Sequence, residues 1–383
     1  MDTDPTGAGS GHLCARTVAR AGISDSPGAN ASGDHGSSPG ARHSPGSGGG
    51  PDGGSGLDGG GGPGANASGD RGGDPGGRGG EVAGRAGVTG GRGLLVVGDV
   101  VTDVVAVHRA PVATGTDTPA DIVVRPGGSG ANTAAWAAHL GTDTRLLARA
   151  GYDTGHWHVE ALRGSGVRPH VRVDPDHPTA VVIAMVDGTG ERSMLTNRGA
   201  GGRIGPADWD DTLLDGVGHL HLSGYTLFAE PGLTLARLAV RSALARGVRI
   251  SVDPASTGPL RAFGPERFLE ETAAAAIVIP NRDEALLLTG EPDPGAAATA
   301  LAERYGMAAV KLGASGALLA RAGQAPVRAP GIAVHALDST GAGDAFAAGF
   351  LSALLRGEPA ESALEAGCRA GAVAVTRLGG RPG

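Results

Sequence analysis

The sequence predicts an α/β fold: a three-layer α/β/α domain with a mostly parallel central sheet, plus a small half-exposed β-sheet. Three observations predict it. From residue 94 onward helical patterns alternate with short apolar runs, the order expected of parallel strands joined by crossover helices. Several runs between 104 and 198 instead alternate apolar with polar side chains, as half-exposed antiparallel strands do. This patterned part spans roughly 290 residues, enough to bury one large core as a single catalytic unit.

Residues 1 to about 92 are a different kind of polymer. Of the 71 glycines, 32 fall in residues 1–93, and stretches such as 46–54 carry almost no large apolar side chains. Such a chain cannot bury enough surface to offset the entropy of ordering, so disorder is expected there. Residues 27–34 and 63–70 are near-copies, a low-complexity repeat. Asn30 and Asn66 sit in N-x-S sequons, which carry no role without a secretory signal.

A single domain is expected over 93–383. Residues 94–99 open it as a short buried strand ending in a turn. Runs at 104–107, 121–124, 171–173, 179–186 and 192–195 are assigned to the small sheet, placing it within about 104–125 and 170–198. The central layer follows as helix 131–140, strand 144–149, helix 153–163, strand 219–222, helix 232–245 and strand 249–252. Strand 277–280 precedes helix 283–288, and helix 295–304 precedes strand 308–312. Two Ala-rich helices, 343–355 and 360–376, close the pattern.

Composition excludes several functions. The formal charge of −7 comes with no long basic run, so nucleic acid and anionic membranes are not expected partners. Cys14 and Cys368 are the only cysteines, which gives neither a disulfide framework nor a CxxC metal pair. Asp2 and Asp4 replace the apolar start of a secretory signal, and nowhere do 18 apolar residues run together. A cytoplasmic protein working on small molecules is expected. Lys311 is the only lysine, every other basic side chain being arginine or histidine.

The most informative stretch is Asp338-Ser339-Thr340-Gly341-Ala342-Gly343-Asp344-Ala345-Phe346, just before a helical run. Gly341, Ala342 and Gly343 at a helix N-terminus let backbone N–H groups converge, and the helix dipole adds positive potential. The result is an anion hole for a transferring phosphoryl group. Asp344 then places a carboxylate in the first turn, able to take a hydroxyl proton as oxygen attacks phosphorus. An isolated G-x-G-D would read better as an aspartate stabilising its helix dipole; the nine-residue string is more specific.

That string resembles the C-terminal signature of the PfkB carbohydrate kinase family, D-T-T-G-A-G-D-x-F, with Ser339 for Thr as its one difference. Gly127-Gly128-Ser129-Gly130-Ala131-Asn132-Thr133-Ala134 resembles the N-terminal signature. The resemblance covers residues 94–382 and implies a ribokinase-like fold in which the small β-sheet is a lid. It implies an ATP-dependent kinase that phosphorylates a hydroxyl of a sugar-like substrate, with Asp344 as general base. Gly127 and Gly128 allow close backbone approach, and Asn132 offers a donor and an acceptor to a hydroxyl. By resemblance these contact the sugar, together with Asp103 of Gly98-Asp99-Val100-Val101-Thr102-Asp103.

Asn281-Arg282-Asp283-Glu284 resembles the family's N-x-x-E motif, which organises Mg2+ and the ATP phosphates largely through water. Hard oxygen ligands suit Mg2+, although Asn at an N-cap with Glu three residues on is also a capping pattern. Val310-Lys311-Leu312-Gly313-Ala314-Ser315-Gly316 resembles the strand and glycine turn beside the nucleotide, which assigns Lys311, Gly313 and Gly316 to ATP. Val375-Thr376-Arg377-Leu378-Gly379-Gly380 resembles the segment that, with Asp338 and Thr340, holds a monovalent cation. The implied ligands here are Asp338, Thr340, Ala374, Arg377 and Gly379, and the implied ion is K+. The same alignment puts Cys368 near the adenine, where the alternative is a buried small apolar residue. Gly151-Tyr152-Asp153-Thr154-Gly155 resembles a structural turn of the family.

Departures from the pattern bear on the substrate. Enzymes of already phosphorylated sugars usually carry Lys where this chain has Ser129, so an unphosphorylated sugar or sugar acid is expected. Ser223-Gly224-Tyr225 replaces the Glu usual in ribokinases, which disfavours ribose and leaves Ser223 or Tyr225 to meet a ring hydroxyl. Arg198 lies in a segment similar to those that approach the site in kinases of keto-acid sugars. A nucleoside kinase and a non-catalytic sugar-binding regulator of the same fold are the competing readings. A P-loop kinase is excluded because no G-x-x-x-x-G-K-[ST] exists. A dinucleotide dehydrogenase is disfavoured because the first strand leads into Gly98-Asp99-Val100-Val101. In related kinases such lids also form dimers, so a homodimer through the lid is compatible with the sequence.

Overall fold

The computed structural model describes residues 91–189 and 191–382. The low-complexity segment expected over 1–92 lies outside them except for its last two residues. The chain opens with β1 (Gly93–Val97), all five residues buried. Then come β2 (Val101–His108), β3 (Ala120–Gly127), α1 (Ser129–His139), β4 (Thr144–Gly151), α2 (Gly155–Gly164), β5 (Arg168–Asp174), β6 (Ala180–Val186) and β7 (Arg192–Asn197). After three 3-10 turns follow β8 (Val217–Ser223), α3 (Gly224–Leu227), α4 (Gly232–Ala245), β9 (Arg249–Asp253), α5 (Thr257–Phe263), α6 (Pro265–Glu271) and β10 (Ile277–Val278). The chain continues as α7 (Arg282–Thr289), α8 (Pro294–Tyr305), β11 (Met307–Lys311), β12 (Ala317–Arg321), β13 (Val327–Ala329), α9 (Ala342–Leu355) and α10 (Ala360–Val375).

Nine strands form the main sheet, in the order β13-β12-β11-β10-β9-β8-β1-β4-β5. Every pairing from β11 to β5 is parallel, and β12 runs antiparallel to both its neighbours. The two-residue alternation of a strand divides its apolar side chains between two cores. Leu95, Val97, Leu220 and Ile250 pack with Ala236, Phe268, Leu288 and Leu301, from α4, α6, α7 and α8. Leu94, Val96, Leu146 and Ile279 pack with Trp136, Phe346, Phe350 and Leu364, from α1, α9 and α10. Each fully buried Leu or Phe contributes about 1.5–3 kcal/mol, so the sheet is a rigid platform.

β3, β2, β6 and β7 form a second, four-stranded sheet. The strand expected around 171–173 is not part of it: β5 pairs in parallel with β4 along seven positions and closes the edge of the main sheet. Its alternating exposure, which suggested the lid, arises because an edge strand is only partly covered. The lid therefore comprises β2, β3, β6 and β7. β12, β13, α5 and α6 were not anticipated, because short edge strands and seven-residue helices carry too few periods to stand out.

Chain order reverses between β1 and β8. From β1 the chain leads to β4 and β5 on one side, and from β8 it proceeds to β9, β10 and β11 on the other. The carboxyl ends of strands flanking such a switch point form a crevice where α/β proteins bind ligands.

Candidate active site

A cavity of about 780 Å3 opens at that crevice, and it is lined by the turn after β1, α3 after β8, the ends of β9 and β11, the first turns of α1, α7 and α9, and one face of the lid. Lid register explains which side chains face in. Asp103 pairs with Arg125 and Val182, and Val182 with Thr196, making one row across four strands. Asp103, Val182 and Thr196 of this row line the cavity.

Gly341 is the N-cap of α9, and its φ of +74° is the left-handed region open to glycine. A Cβ there would also lie 2.5 Å from Gly380 Cα. Ala342 N donates to the Ser339 carbonyl at 3.3 Å, while the N–H groups of Gly343 and Asp344 have no partner within the helix, which is what an anion hole needs. Asp344 sits in that turn and lines the cavity. Its Oδ1 accepts from Ser129 Oγ at 2.8 Å and its Oδ2 from Asn132 Nδ2 at 2.9 Å. Burial pushes the Asp344 carboxyl up to about 7, and the bonds from Asn132 and Ser129 only partly oppose that rise. A carboxylate poised near neutrality is the form a general base takes.

The two glycine signatures thus meet in one place, with α1 supplying the donors that hold the α9 carboxylate. Gly128, at φ +99°, brings the α1 N-terminus against the β1 exit, where a Cβ would lie 2.6 Å from the Asp99 carbonyl oxygen. Asp99 caps the same turn, accepting from the backbone N–H groups of Ser129 and Gly130. Asp99, Asp103, Gly128, Ser129, Tyr225 and Arg198 line one end of the cavity, with an apolar wall of Val101, Val182, Met194 and Phe228. Burial pushes Asp103 up to about 6, with Asp99 adding to the rise. Arg198 donates to the Tyr225 carbonyl. Ser223 is buried at the end of β8 and does not line the cavity.

At the other end Asn281 and Glu284 form a reciprocal capping box: Glu284 N donates to Asn281 Oδ1 at 2.9 Å, and Asn281 N to Glu284 Oε2 at 2.8 Å. Lys311 Nζ pairs with Asp253 Oδ2 at 2.5 Å. Burial works to lower the Lys311 pKa, but the carboxylates of Asp253 and Glu284 outweigh it and hold the ammonium above its ordinary value. Glu284 is pushed up to about 7, chiefly by burial. A Cβ on Gly343 would lie 3.4 Å from Lys311 Nζ, so the ammonium stands beside the α9 turn. Two carboxylates thus share one cation. This surplus of hard, negative oxygens fits Mg2+ that keeps most of its waters, and among the described residues no cluster of three or more His, Cys, Asp or Glu forms a metal cage.

Not every expected site residue faces the cavity. Gly313 and Thr340 do, whereas Gly127, Ala342, Gly316 and Cys368 do not. Cys368 is partly buried on α10 against the second core. Gly316, at φ +91°, packs its backbone on the loop after β13. The Asp338 segment is tied to the end of α10: Thr340 N and Oγ1 donate to Asp338 Oδ1, Gly379 N donates to Oδ2 at 3.0 Å, and Asp338 N donates to the Val375 carbonyl. The Ala374 carbonyl accepts from Arg377 N, and the Arg377 guanidinium lies 5.7 Å from the Trp136 ring centroid.

Sequence reasoning missed Asp253 and the bond from Ser129 to Asp344. Asp253 ends the run 249–253, as Asp99 follows β1, and a carboxylate at a strand's carboxyl end was the available signal. The neighbouring Ala255, at φ +69°, is the only non-glycine at positive φ among the described residues, and it too lines the cavity. Such strain concentrates at functional sites.

Comparison with known proteins agrees with this geometry. The family model described as pfkB family carbohydrate kinase matches residues 92–383. An ATP-dependent ribose-1-phosphate kinase from Halopiger xanaduensis is 34% identical over 292 residues, covering 75% of this chain and 93% of that protein. Among solved structures, adenosine kinase from Sinorhizobium meliloti superposes with a TM-score of 0.69 at 28% identity, covering 76% of this chain and 95% of that one. Arabidopsis thaliana ribokinase complexed with ribose and ATP gives a TM-score of 0.64 at 26% identity, covering 75% and 93%.

Proposed function

The chain belongs to the pfkB family of carbohydrate kinases, and from that premise we propose that it phosphorylates a hydroxyl of a free sugar or sugar acid, with Asp344 as general base. The observation that carries the mechanism is the pair of bonds from Ser129 and Asn132 that hold the Asp344 carboxylate at the cavity wall.

The acceptor lies against Asp103, the Gly127–Gly128 backbone and Asn132, and the lid closes over it to exclude water. Asp344 takes the hydroxyl proton as the oxygen attacks the γ-phosphorus of ATP, and ADP leaves. Backbone N–H groups of Gly341, Ala342 and Gly343, aided by the Lys311 ammonium beside them, stabilise charge on the transferring group. Asn281, Glu284 and Asp253 would hold Mg2+ through its waters; when bound it neutralises phosphate charge. Gly313 and Gly316 shape the turn beside the nucleotide, with Cys368 further along the adenine side. K+ held by Asp338, Thr340, Ala374, Arg377 and Gly379 belongs to the same reading, and activity in K+ compared with tetramethylammonium tests it.

A second reading is an acceptor that already carries an anionic group. Among the described residues Arg198 is the only cation lining the acceptor end, and the relative from Halopiger is named for ribose 1-phosphate. A nucleoside is the third candidate, which the apolar wall would accommodate. ATP consumption by the full chain with Mg2+ and K+, across ribose, fructose, 2-dehydro-3-deoxygluconate, ribose 1-phosphate and adenosine, separates them. A free sugar or sugar acid turned over best supports the first reading, and preference for ribose 1-phosphate or adenosine replaces it.

The lid also supports a homodimer. Its outward face carries Val124, Val104, Ile183 and Leu195 as one register row across all four strands, with Leu195 58% and Val124 54% exposed. A bare apolar row of this kind marks an interface. Sedimentation of the wild type against Leu195→Asp tests it, with loss of the dimer expected in the variant.

A further inference from the structure

Arg381 belongs to no motif and does not touch the cavity, yet its guanidinium lies directly behind the acceptor end. Nη2 donates to the Gly127 carbonyl at 2.9 Å. Nε and Nη1 are buried without a hydrogen-bond partner among the described residues. Orphan donors on a buried guanidinium are costly, which argues against packing as its purpose.

Its surroundings indicate the purpose. The charge of Arg381 is felt by Asp103 and Asp99 and by His158. Gly127 connects Arg381 to Asp103: a Cβ there would lie 1.9 Å from Asp103 Oδ2, so the carboxylate packs on the residue whose carbonyl receives the Arg381 bond. Asp103 has Asp99 and Asp338 as negative neighbours, and Arg381 opposes them. Its cross-strand neighbour Arg125 directs Nη1 to the Leu378 carbonyl at 2.7 Å.

The segment bearing Arg381 is fixed on several sides. Trp136 Nε1 donates to the Gly380 carbonyl at 2.9 Å, and Gly379 N is bound to Asp338. A Cβ on Gly380 would lie 2.3 Å from Asn132 Nδ2, so the backbone passes tightly beneath α1. A charge on such a segment is held in register with the lid root.

We infer that Arg381 is a positioning residue for the acceptor: its guanidinium holds Asp103 in place as a carboxylate able to accept hydrogen bonds from substrate hydroxyls. The inference rests on Asp103 being the acceptor-binding carboxylate. It predicts that Arg381 governs acceptor affinity while leaving the nucleotide end untouched.

The test is a double-mutant cycle in the full chain, read with whichever of the five acceptors above gives the highest kcat/KM. Arg381→Gln is expected to raise the acceptor KM about tenfold while kcat and the ATP KM stay within about twofold. Arg381→Lys, which keeps the charge, is expected to recover most of the loss. In an Asp103→Asn background Arg381→Gln should add nothing further. An unchanged acceptor KM in Arg381→Gln, with Asp103→Asn impaired, overturns the inference and leaves the role of Asp103 standing. A rise that persists in full in the Asp103→Asn background overturns it too, as does a parallel loss in the ATP KM and thermal midpoint. A wild-type acceptor KM in Asp103→Asn removes Asp103 from the acceptor site and the inference with it.

Discussion

The two sheets of this molecule are built to opposite specifications. In the main sheet Leu94, Leu95, Val96, Val97 and Leu146 are wholly buried, and helices cover both faces. In the small sheet Ile122 is 62% and Leu195 58% exposed. One face lines the cavity while the other has no covering layer among the described residues. The groups placed in the transfer step, Asp344, Lys311 and Glu284, all stand on the packed platform. The thin sheet contributes Asp103, Thr196 and, with Val101, Val182 and Met194, most of the cavity's apolar wall. Rigidity is thus concentrated where charges must be held against repulsion, and the lightly packed element is the one that the proposed closure would move.

The strongest way to break this contrast is Asp344→Asn. Loss of the base should cut kcat by about 10²–10⁴-fold with ATP binding preserved, and wild-type turnover would take the base away from the platform. The same carboxyl links activity to pH. With its pKa raised to about 7 by burial, kcat/KM should rise with pH through about 7 in the wild type. Its contribution to stability runs the other way. The native state keeps a proton that the unfolded chain has already released, so this contribution is present at low pH and lost as pH rises through about 7. Asp344→Asn should therefore flatten the dependence of Tm on pH between the ordinary carboxylate range and 8.

Lys311→Met leaves Asp253 and Glu284 buried without their shared cation, and should cost about 3–5 kcal/mol in urea unfolding. A loss below 1 kcal/mol would mean that the nucleotide end is more solvated than its burial indicates. The sheets themselves are compared directly by truncation. Leu146→Ala in β4 should cost about 2–5 kcal/mol, and Ile122→Ala in β3 within about 0.5 kcal/mol. Comparable losses would show that the lid's outer face is covered in solution, as a dimer would cover it.

Much of the main sheet was legible in local pattern. α4 spans the 232–245 expected of it, and the strand at 249–253 fell within a residue of expectation. Long periods and continuous apolar runs survive any tertiary context. β5 was misplaced for the opposite reason: its alternation reports that one face is open, and that is equally true of an edge strand in a large sheet and a strand in a small one. At the site, the Asp344 carboxylate and its glycine turn were readable because they lie within one string of the chain.

What the sequence determined by itself, then, was the local arrangement of contiguous residues: the α9 turn with its Asp344 carboxylate, the glycine entry to α1, and the capping pair Asn281 and Glu284. Tertiary structure alone decided the partners across the chain. Ser129 meets Asp344 across 215 residues, Lys311 meets Asp253 across 58, and Arg381 reaches Gly127 across 254. No local propensity encodes such pairs, because each depends on which strands become neighbours and where their carboxyl ends converge. Burial at that convergence then raises the carboxyl pKa values of Asp103, Glu284 and Asp344 together, turning ordinary acids into groups poised near neutrality.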